Sequence, residues 1–581
     1  MFKPKLLSTL KTYNKKQFFT DSISGIVVGI VAIPLAIAFG IASGVGPTEG
    51  LITAVIAGFI ISFLGGSRVQ IGGPTGAFIV IVYGIIQKYG ISGLMISTIM
   101  AGIMLLFMGI FQLGTIIKFV PYPVIAGFTG GIAVVIFSTQ ISDFFGMNLK
   151  NIPNNFIDKW VYYANNLQYI DLWSFALAVL GIILITIFSS RFSNKIPGAL
   201  VAILVLTPLV ILLKNYGVAE NVKTISDNFT LPNGFPKFSL PQFIIPDGMT
   251  LTEYIRVLLS PAFTIAMLGA IESLLSAMVA DGAIGDNHDS NTELVAQGVA
   301  NIFTPFFGGI PATGAIARTM TNINNGGRTP VAGIVHAIFL LLAMLALGQL
   351  IGYIPMPCLA AILIVVAYNM SGWRTMVAMR NHPRSDFAVL LITFFLTVIF
   401  DLTIAIEVGL LLAIVLFLKR TNENTTIRSF HNEIDPSDNT INSTNSTMKI
   451  EIIPDKVEVY EIDGPYFFGI ANKFDDMMRI TASKHWVRII SMKKVPFMDS
   501  TGLKNFEILC EKAKKEKITI IICGANYKVM NILVKSGIEK TIGKENICLT
   551  FENAIQRANE IISIEEENIA NRKTQSIKVV R

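Results

Sequence analysis

Charge is scarce in this sequence of 581 residues. Asp, Glu, Lys and Arg together make up 15% of it, where a soluble globular chain carries about 25%. That shortage excludes a purely cytosolic enzyme, and the length exceeds one ordinary domain. Histidine and cysteine are scarcer still. The five histidines form no H-E-x-x-H or other ligand cluster, so no metal site is expected. Cys358, Cys510, Cys523 and Cys548 show no C-x-x-C spacing and read as free thiols in a reducing compartment. The formal net charge is +7, but the basic residues are scattered through short loops rather than gathered on one stripe, which argues against nucleic acid as a partner.

What the chain has in quantity is apolar sequence. Hydrophobic residues make up 52%, with 47 glycines and a 10% aromatic share, and the mean hydropathy is +0.60. More than half of the charged residues lie after Arg420, so the first part reads as membrane and the last as a soluble domain. Residues 1–20, with Lys3, Lys5, Lys11, Lys15 and Lys16, read as a retained cytoplasmic N-terminus rather than a signal peptide. Between residues 21 and 420 about fourteen hydrophobic stretches follow in close order. Arg68, Lys118, Arg191, Lys195, Arg328, Arg374, Arg380, Arg384, Lys419 and Arg420 fall in one set of alternate loops. The positive-inside rule then places the N-terminus and the C-terminal domain in the cytoplasm of a cell (inner) membrane protein. The opposite loops carry Lys88, Lys150, Lys159, Lys223 and Lys237, mostly in two longer segments where the rule is weak.

Two stretches, the third and the tenth, are too short to cross about 30 Å as helices. The third opens Gly72-Gly73-Pro74-Thr75-Gly76-Ala77 and the tenth Gly308-Gly309-Ile310-Pro311-Ala312-Thr313-Gly314-Ala315. They lie seven spans apart, and an odd offset inverts the second copy in the membrane. Paired interrupted segments in two inverted halves point to a transporter site near the bilayer midplane. A helix starting there leaves its first N–H groups unpaired and presents a partial positive charge, so two facing starts make an anion site. Thr75 and Thr313 add hydroxyls, and glycine lets a ligand approach the backbone.

Glu272 sits deep in the eighth span, where a charged group is costly and needs a reason. One reading is coupling to a cation; the other is a neutral acid satisfied by interhelical hydrogen bonds. Arg318, about one turn past the tenth-segment cap, either offsets an anion, pairs with Glu272, or snorkels to water. Asp401 and Glu407, at the junction of the last two spans, read as loop or packing residues.

Ala32-Ile33-Pro34-Leu35-Ala36-Ile37-Ala38-Phe39, Gly65-Gly66-Ser67-Arg68, the third-segment motif, Gly269-Ala270-Ile271-Glu272-Ser273 and the tenth-segment motif resemble the SulP, or sulfate permease, family of anion transporters. The resemblance implies a polytopic α-helical protein of 14 spans as a 7+7 inverted repeat, spans 1–4 and 8–11 forming a core domain and the rest a gate domain. It also implies an anion between the third and tenth helix starts. Leu35 and Phe39 would wall the pocket, Thr75, Gly76 and Ala77 would supply one helix start, and Thr313, Gly314 and Ala315 the other. Arg318 would add positive potential and Glu272 would couple a cation. Sodium-coupled bicarbonate carriers tend to have Asp followed four residues later by Thr; here Glu272 is followed by Ser276, which favours a proton over sodium.

The stretch 421–448 is rich in Asn, Thr and Ser and reads as a mobile linker. From residue 449 to 565, strand-like runs alternate with amphipathic stretches, which indicates a small α/β domain, with 566–581 as a tail. Asp499-Ser500-Thr501-Gly502 opens a helix with an Asp or Ser cap. This part resembles the STAS domain of anti-sigma-factor antagonists, which SulP transporters also carry. Ser500 matches the serine those antagonists have phosphorylated; the alternative is a capping serine without a regulatory role. No Walker motif or dinucleotide fingerprint accompanies it, so catalysis is not supported.

The expectation is therefore a secondary transporter, not an enzyme, of a small anion of the sulfate, bicarbonate or dicarboxylate class. It would work without a bound cofactor, by symport with H+ or, in the alternative, Na+, and as a homodimer in the lipid bilayer. A passive exchanger or channel and a membrane-anchored STAS scaffold or sensor are the competing readings.

Overall fold

The computed structural model describes residues 2–117, 120–149, 152–153, 155–191, 197–229, 234–240, 244–245, 248–381, 383–400, 402–430, 453–454, 456–469 and 485–579. Lys118, Lys150, Lys195, Asp401 and residues 431–448 of the expected linker lie outside them. The chain divides into two compact units, Met1–Ala413 and Ile414–Arg581.

Thirteen helices account for the fourteen expected spans among the described residues: α1 (Lys15–Ala42), α2 (Pro47–Leu64), α3 (Gly76–Ile110), α4 (Tyr122–Phe144), α5 (Leu172–Arg191), α6 (Gly198–Asn215), α7 (Leu251–Ile284), α8 (Ser290–Phe303), α9 (Ile316–Asn324), α10 (Val331–Ile351), α11 (Met356–Met370), α12 (Arg384–Ile399) and α13 (Leu402–Asn424). α3 serves as both third and fourth spans, because Gly90 at φ +68° breaks its helical path. Eight of the helical segments are long and apolar enough to cross a membrane by length and composition. Local chemistry sets several starts. Asn14 caps α1 by accepting from the Gln17 amide at 2.8 Å. Thr250 and Glu253 form a capping box at α7, and Asp289 accepts from two amides at the start of α8.

The packing carries the inverted repeat. Spans 1–4 and 8–11 pack mainly on one another, and spans 5–7 and 12–13 form a second group. Three pairs of strong contacts are related by an offset of seven spans. α1 packs on α10 as α7 packs on α3, α8 packs on α3 as α2 packs on α10, and α4 packs on α12 as α5 packs on α11. Small residues allow the closest approaches. A Cβ at Gly102 would sit 2.7 Å from the Gly298 carbonyl, and one at Gly298 would sit 2.7 Å from the Gly102 carbonyl. The α3–α8 backbones thus touch reciprocally at glycine, as helices in lipid require where backbones meet.

The second unit is an α/β layer structure. β3 (Thr426–Phe430), β4 (Val457–Asp463), β5 (Val487–Lys494), β6 (Thr519–Cys523) and β7 (Ile547–Cys548) form one sheet in sequence order, β3 antiparallel and the others parallel. Alternate residues bury on its two faces. Tyr460, Ile490 and Ile522 pack towards α14 (Ser500–Lys515) and α15 (Tyr527–Lys535). Val459, Ile489 and Ile521 pack towards α16 (Phe551–Val579). Part of the expected linker is thereby corrected: α13 continues through Asn424, and Thr426–Phe430 is an edge strand rather than irregular chain. Its pairing with β4 supplies the order that its polar composition did not signal.

Candidate functional site

The third and tenth segments enter the first unit as extended chain. β1 (Gly72–Gly73) and β2 (Thr313–Gly314) pair antiparallel, Gly72 opposite Gly314 and Gly73 opposite Thr313. Each chain then turns directly into a helix, α3 capped by Thr75 and α9 by Ala315. Crossing strands that end in helix starts aim both starts at one place. A cavity of about 530 Å³ lies there, between the two helix groups. Gly76, Ala77, Ile316 and Ala317 line it, which brings the first amides of both helices to the same wall. Those amides have no acceptor one turn back in their own helix, so the wall carries partial positive charge.

Leu35 and Phe39 of α1 line the cavity, as do Thr75, Glu272, Ala315 and Arg318. The other helix group contributes Val124, Phe128 and Thr129 of α4 and Asn369 and Met370 of α11, and α13 contributes Ile406. The lining is largely apolar, so its few polar groups dominate the electrostatics. Thr75 does not cap α3 with its side chain; its hydroxyl donates to Oε2 of Glu272 at 2.9 Å. Arg318 does not snorkel to water. It is 2% exposed, and its Nη2 donates to the Pro74 carbonyl at 2.8 Å. Nη1 is buried without a hydrogen-bond partner. Gly73 makes the room for it: its φ is +151°, and a Cβ there would run into Nη1.

Three expected site residues stand behind the cavity rather than on it. Thr313 is fully buried and donates its hydroxyl to the Gly269 carbonyl at 2.8 Å. Gly314 lies in β2, where a Cβ would overlap the Gln70 side-chain amide. Ser276 turns to Thr319, hydroxyl to hydroxyl at 3.3 Å. The Thr-Gly-Ala match between the segments is therefore out of step with the fold. Ala315, not Thr313, occupies the capping position that Thr75 holds in the other half.

Sequence reading missed the groups that hold these segments. Asn301 clamps the backbone of Ala312, accepting from its N–H at 2.9 Å and donating to its carbonyl at 2.8 Å. Gln70 donates to Ser273 Oγ at 2.8 Å. Glu293, fully buried, accepts from the amides of Gly66 at 2.9 Å and Ser67 at 3.2 Å, and from Gln297 at 3.0 Å. An acid and an amide at i, i+4 in an apolar span were the available signal. In the second unit Asp499 is the cap of α14, accepting from the Gly502 amide at 2.6 Å. Ser500 is exposed at the first helical position and does no capping.

Comparison with known proteins agrees with this architecture. Residues 18–393 match the sulfate permease family, and residues 449–554 match the STAS domain. A putative sulfate transporter, YvdB, of Bacillus subtilis is 41% identical over 92% of this chain and 97% of its own. The bicarbonate transporter BicA of Picosynechococcus is 29% identical over 88% of this chain and 89% of its own. The murine Slc26a9 anion transporter, solved in the inward-facing state, shares the fold with a TM-score of 0.83 at 18% identity, covering 96% of this chain and 94% of that one. With its paired half-helices, its two helix groups and a C-terminal STAS domain, the chain belongs to the sulfate permease family.

Proposed function

We propose that the protein is a secondary transporter that carries a small oxyanion of the sulfate or bicarbonate class and couples its movement to a proton. The observation that carries this reading is the shared wall: two helix starts and Arg318 face the same cavity as the Glu272 carboxylate. Positive groups favour an anion at that wall, and an ionised Glu272 opposes it. Adding a proton to Glu272 removes the opposition, so proton and anion each strengthen the binding of the other. Thr75 supports this role because it is the residue at which α3 begins and its hydroxyl donates to the carboxylate. An interior-negative potential opposes each imported negative charge by about 2.3 kcal/mol per 100 mV, and a co-transported proton offsets one such charge.

In this reading the N-terminal segment and the STAS domain are cytoplasmic, as the distribution of basic residues among the loops supports, and the protein works as a homodimer in the cell membrane. The cavity reaches from the half-helix starts to Val120 and Val124, at the beginning of α4, which lies towards the face where α1 begins. That corresponds to access from the cytoplasm. The substrate class draws on the names of the two relatives. Purified protein in proteoliposomes, assayed with labelled sulfate and labelled bicarbonate under an imposed pH gradient and separately a sodium gradient, tests it. Accumulation driven by the pH gradient alone is expected. Accumulation that needs sodium, or flux without accumulation under either gradient, would overturn proton symport.

A further inference from the structure

A second cavity, of about 430 Å³, lies along the same interface between the helix groups. Val80 and Gly84 of α3 line it on one side, and Thr397 of α12 on the other. The third span joins the two cavities. Ala77 borders the first and Lys88 the second, and eleven helical residues separate them by about 16 Å. The second cavity therefore sits towards the face opposite the N-terminus.

Among the described residues its lining includes Lys88 and Lys159 and no Asp or Glu. Lys159 belongs to the short helix Phe156–Asn165, which packs on α4 and α12. Along that helix the Trp160 ring meets Phe156 at 6.2 Å and Tyr163 at 6.1 Å. Only 4% of Lys159 is exposed. Burial draws its ammonium group below the ordinary lysine value. A lysine tucked into a cavity without a carboxylate has an incomplete environment, which an anion entering the cavity completes.

We propose that this second cavity is an anion-binding site on the face opposite the N-terminus, where Lys159 holds the transported oxyanion before it reaches the half-helix starts. The proposal rests on the anion-transport reading above. Ser260 and Asn155 supply neutral polar groups in the lining, and Lys88 adds positive potential.

The test uses the full-length protein in right-side-out and inside-out membrane vesicles, with labelled sulfate as probe. Lys159→Gln is expected to raise KM about tenfold for entry from the face opposite the N-terminus, the size expected for loss of one charge-assisted hydrogen bond. KM from the N-terminal face and kcat are expected to stay within twofold, and Lys159→Arg to restore the wild-type KM. Lys159→Met, which keeps the aliphatic stem, serves if the glutamine variant does not fold. No KM change, or an equal rise from both faces, would overturn the proposal. So would an asymmetry that disappears in phosphatidylcholine vesicles and returns with phosphatidylglycerol, because Lys159 would then hold a lipid headgroup. Wild-type protein that moves neither sulfate nor bicarbonate would instead overturn the transport reading itself.

Discussion

The Thr75 hydroxyl donates to Oε2 of Glu272 at 2.9 Å, joining the start of a half-helix to an acid 197 residues later in the chain. Without Thr75 the carboxylate would lose this hydrogen bond at the cavity wall. The bond links the state of the acid to the helix end proposed to hold the anion. In the proposed mechanism anion affinity and proton occupancy are two readings of one equilibrium.

Glu272→Gln keeps the shape and a hydrogen-bond acceptor for Thr75 but removes the titrating group. Accumulation driven by a pH gradient is expected to fall to background, while sulfate binding stays within about threefold at low pH, because less than 1 kcal/mol separates two neutral acceptors. The sign of the pH effect follows from reciprocity: wild-type affinity should fall as pH rises and the acid ionises, and the variant's affinity should be flat. Calorimetric titration between pH 5.5 and 8.5 checks both. A variant that still accumulates sulfate would remove Glu272 from the coupling step.

Arg318→Met is expected to lower anion affinity at least tenfold, because a buried guanidinium beside the half-helix starts is replaced by an apolar chain of similar length. Gly73→Ala should act through the same arginine. The added Cβ meets Nη1 in a backbone conformation that alanine avoids, and a loss of about 2 kcal/mol or more is expected. Thermal unfolding in detergent measures the second effect. An unchanged Tm for Gly73→Ala would mean that the guanidinium has room to move away.

Much of the architecture was legible because lipid imposes it. Apolar length marked the spans, and the Gly-Pro interruptions before Gly76 and Ile316 marked the two segments that start inside the membrane. What the residue pattern missed depends on pairing between distant parts of the chain. Aligning Thr75 with Thr313 by identity put a hydroxyl on the cavity wall that in fact faces the Gly269 carbonyl, because β1–β2 pairing, not residue identity, sets where α9 begins. Thr426–Phe430 looked like linker because a five-residue polar strand has no signal of its own until β4 lies beside it. Asn301, Gln70 and Glu293 went unread for a similar reason: their partners are backbone groups of other segments.

The thiols of the second unit offer a test of its packing. Burial pushes Cys510 and Cys523 up to about 12, so almost no thiolate, the reactive form, is present at neutral pH. In the native protein at pH 7.5 both are expected to resist maleimide for hours, and in denaturant to label within minutes. Mass spectrometry of digested protein counts the labelled sites. Rapid native labelling at Cys523 would show that the sheet opens readily.

The two glycines that a simple repeat would treat alike are expected to fail in different ways when replaced by valine. Gly76 is on the cavity wall, and a Cβ there would approach Met370 Sδ to 2.8 Å and Ile136 Cδ1 to 3.6 Å. Those neighbours are flexible side-chain ends on the other helix group, so Gly76→Val can fold while its branches fill the approach to the first amides of α3. Helix-end interactions reach about 2 kcal/mol in partly buried geometry, which corresponds to an affinity loss of roughly thirtyfold. Gly314 is off the wall, and its Cβ would overlap the Gln70 amide that bonds to Ser273. Gly314→Val must displace Gln70 and leave buried polar groups without partners, a cost of about 1–3 kcal/mol for each, so its primary defect should be stability. Measuring Tm and sulfate affinity on both variants separates the two outcomes: near-normal Tm with weak binding for Gly76→Val, and a strongly lowered Tm for Gly314→Val. A Gly314→Val protein of normal Tm that has lost only binding would put Gly314 back on the anion's path and the β1–β2 crossing out of register.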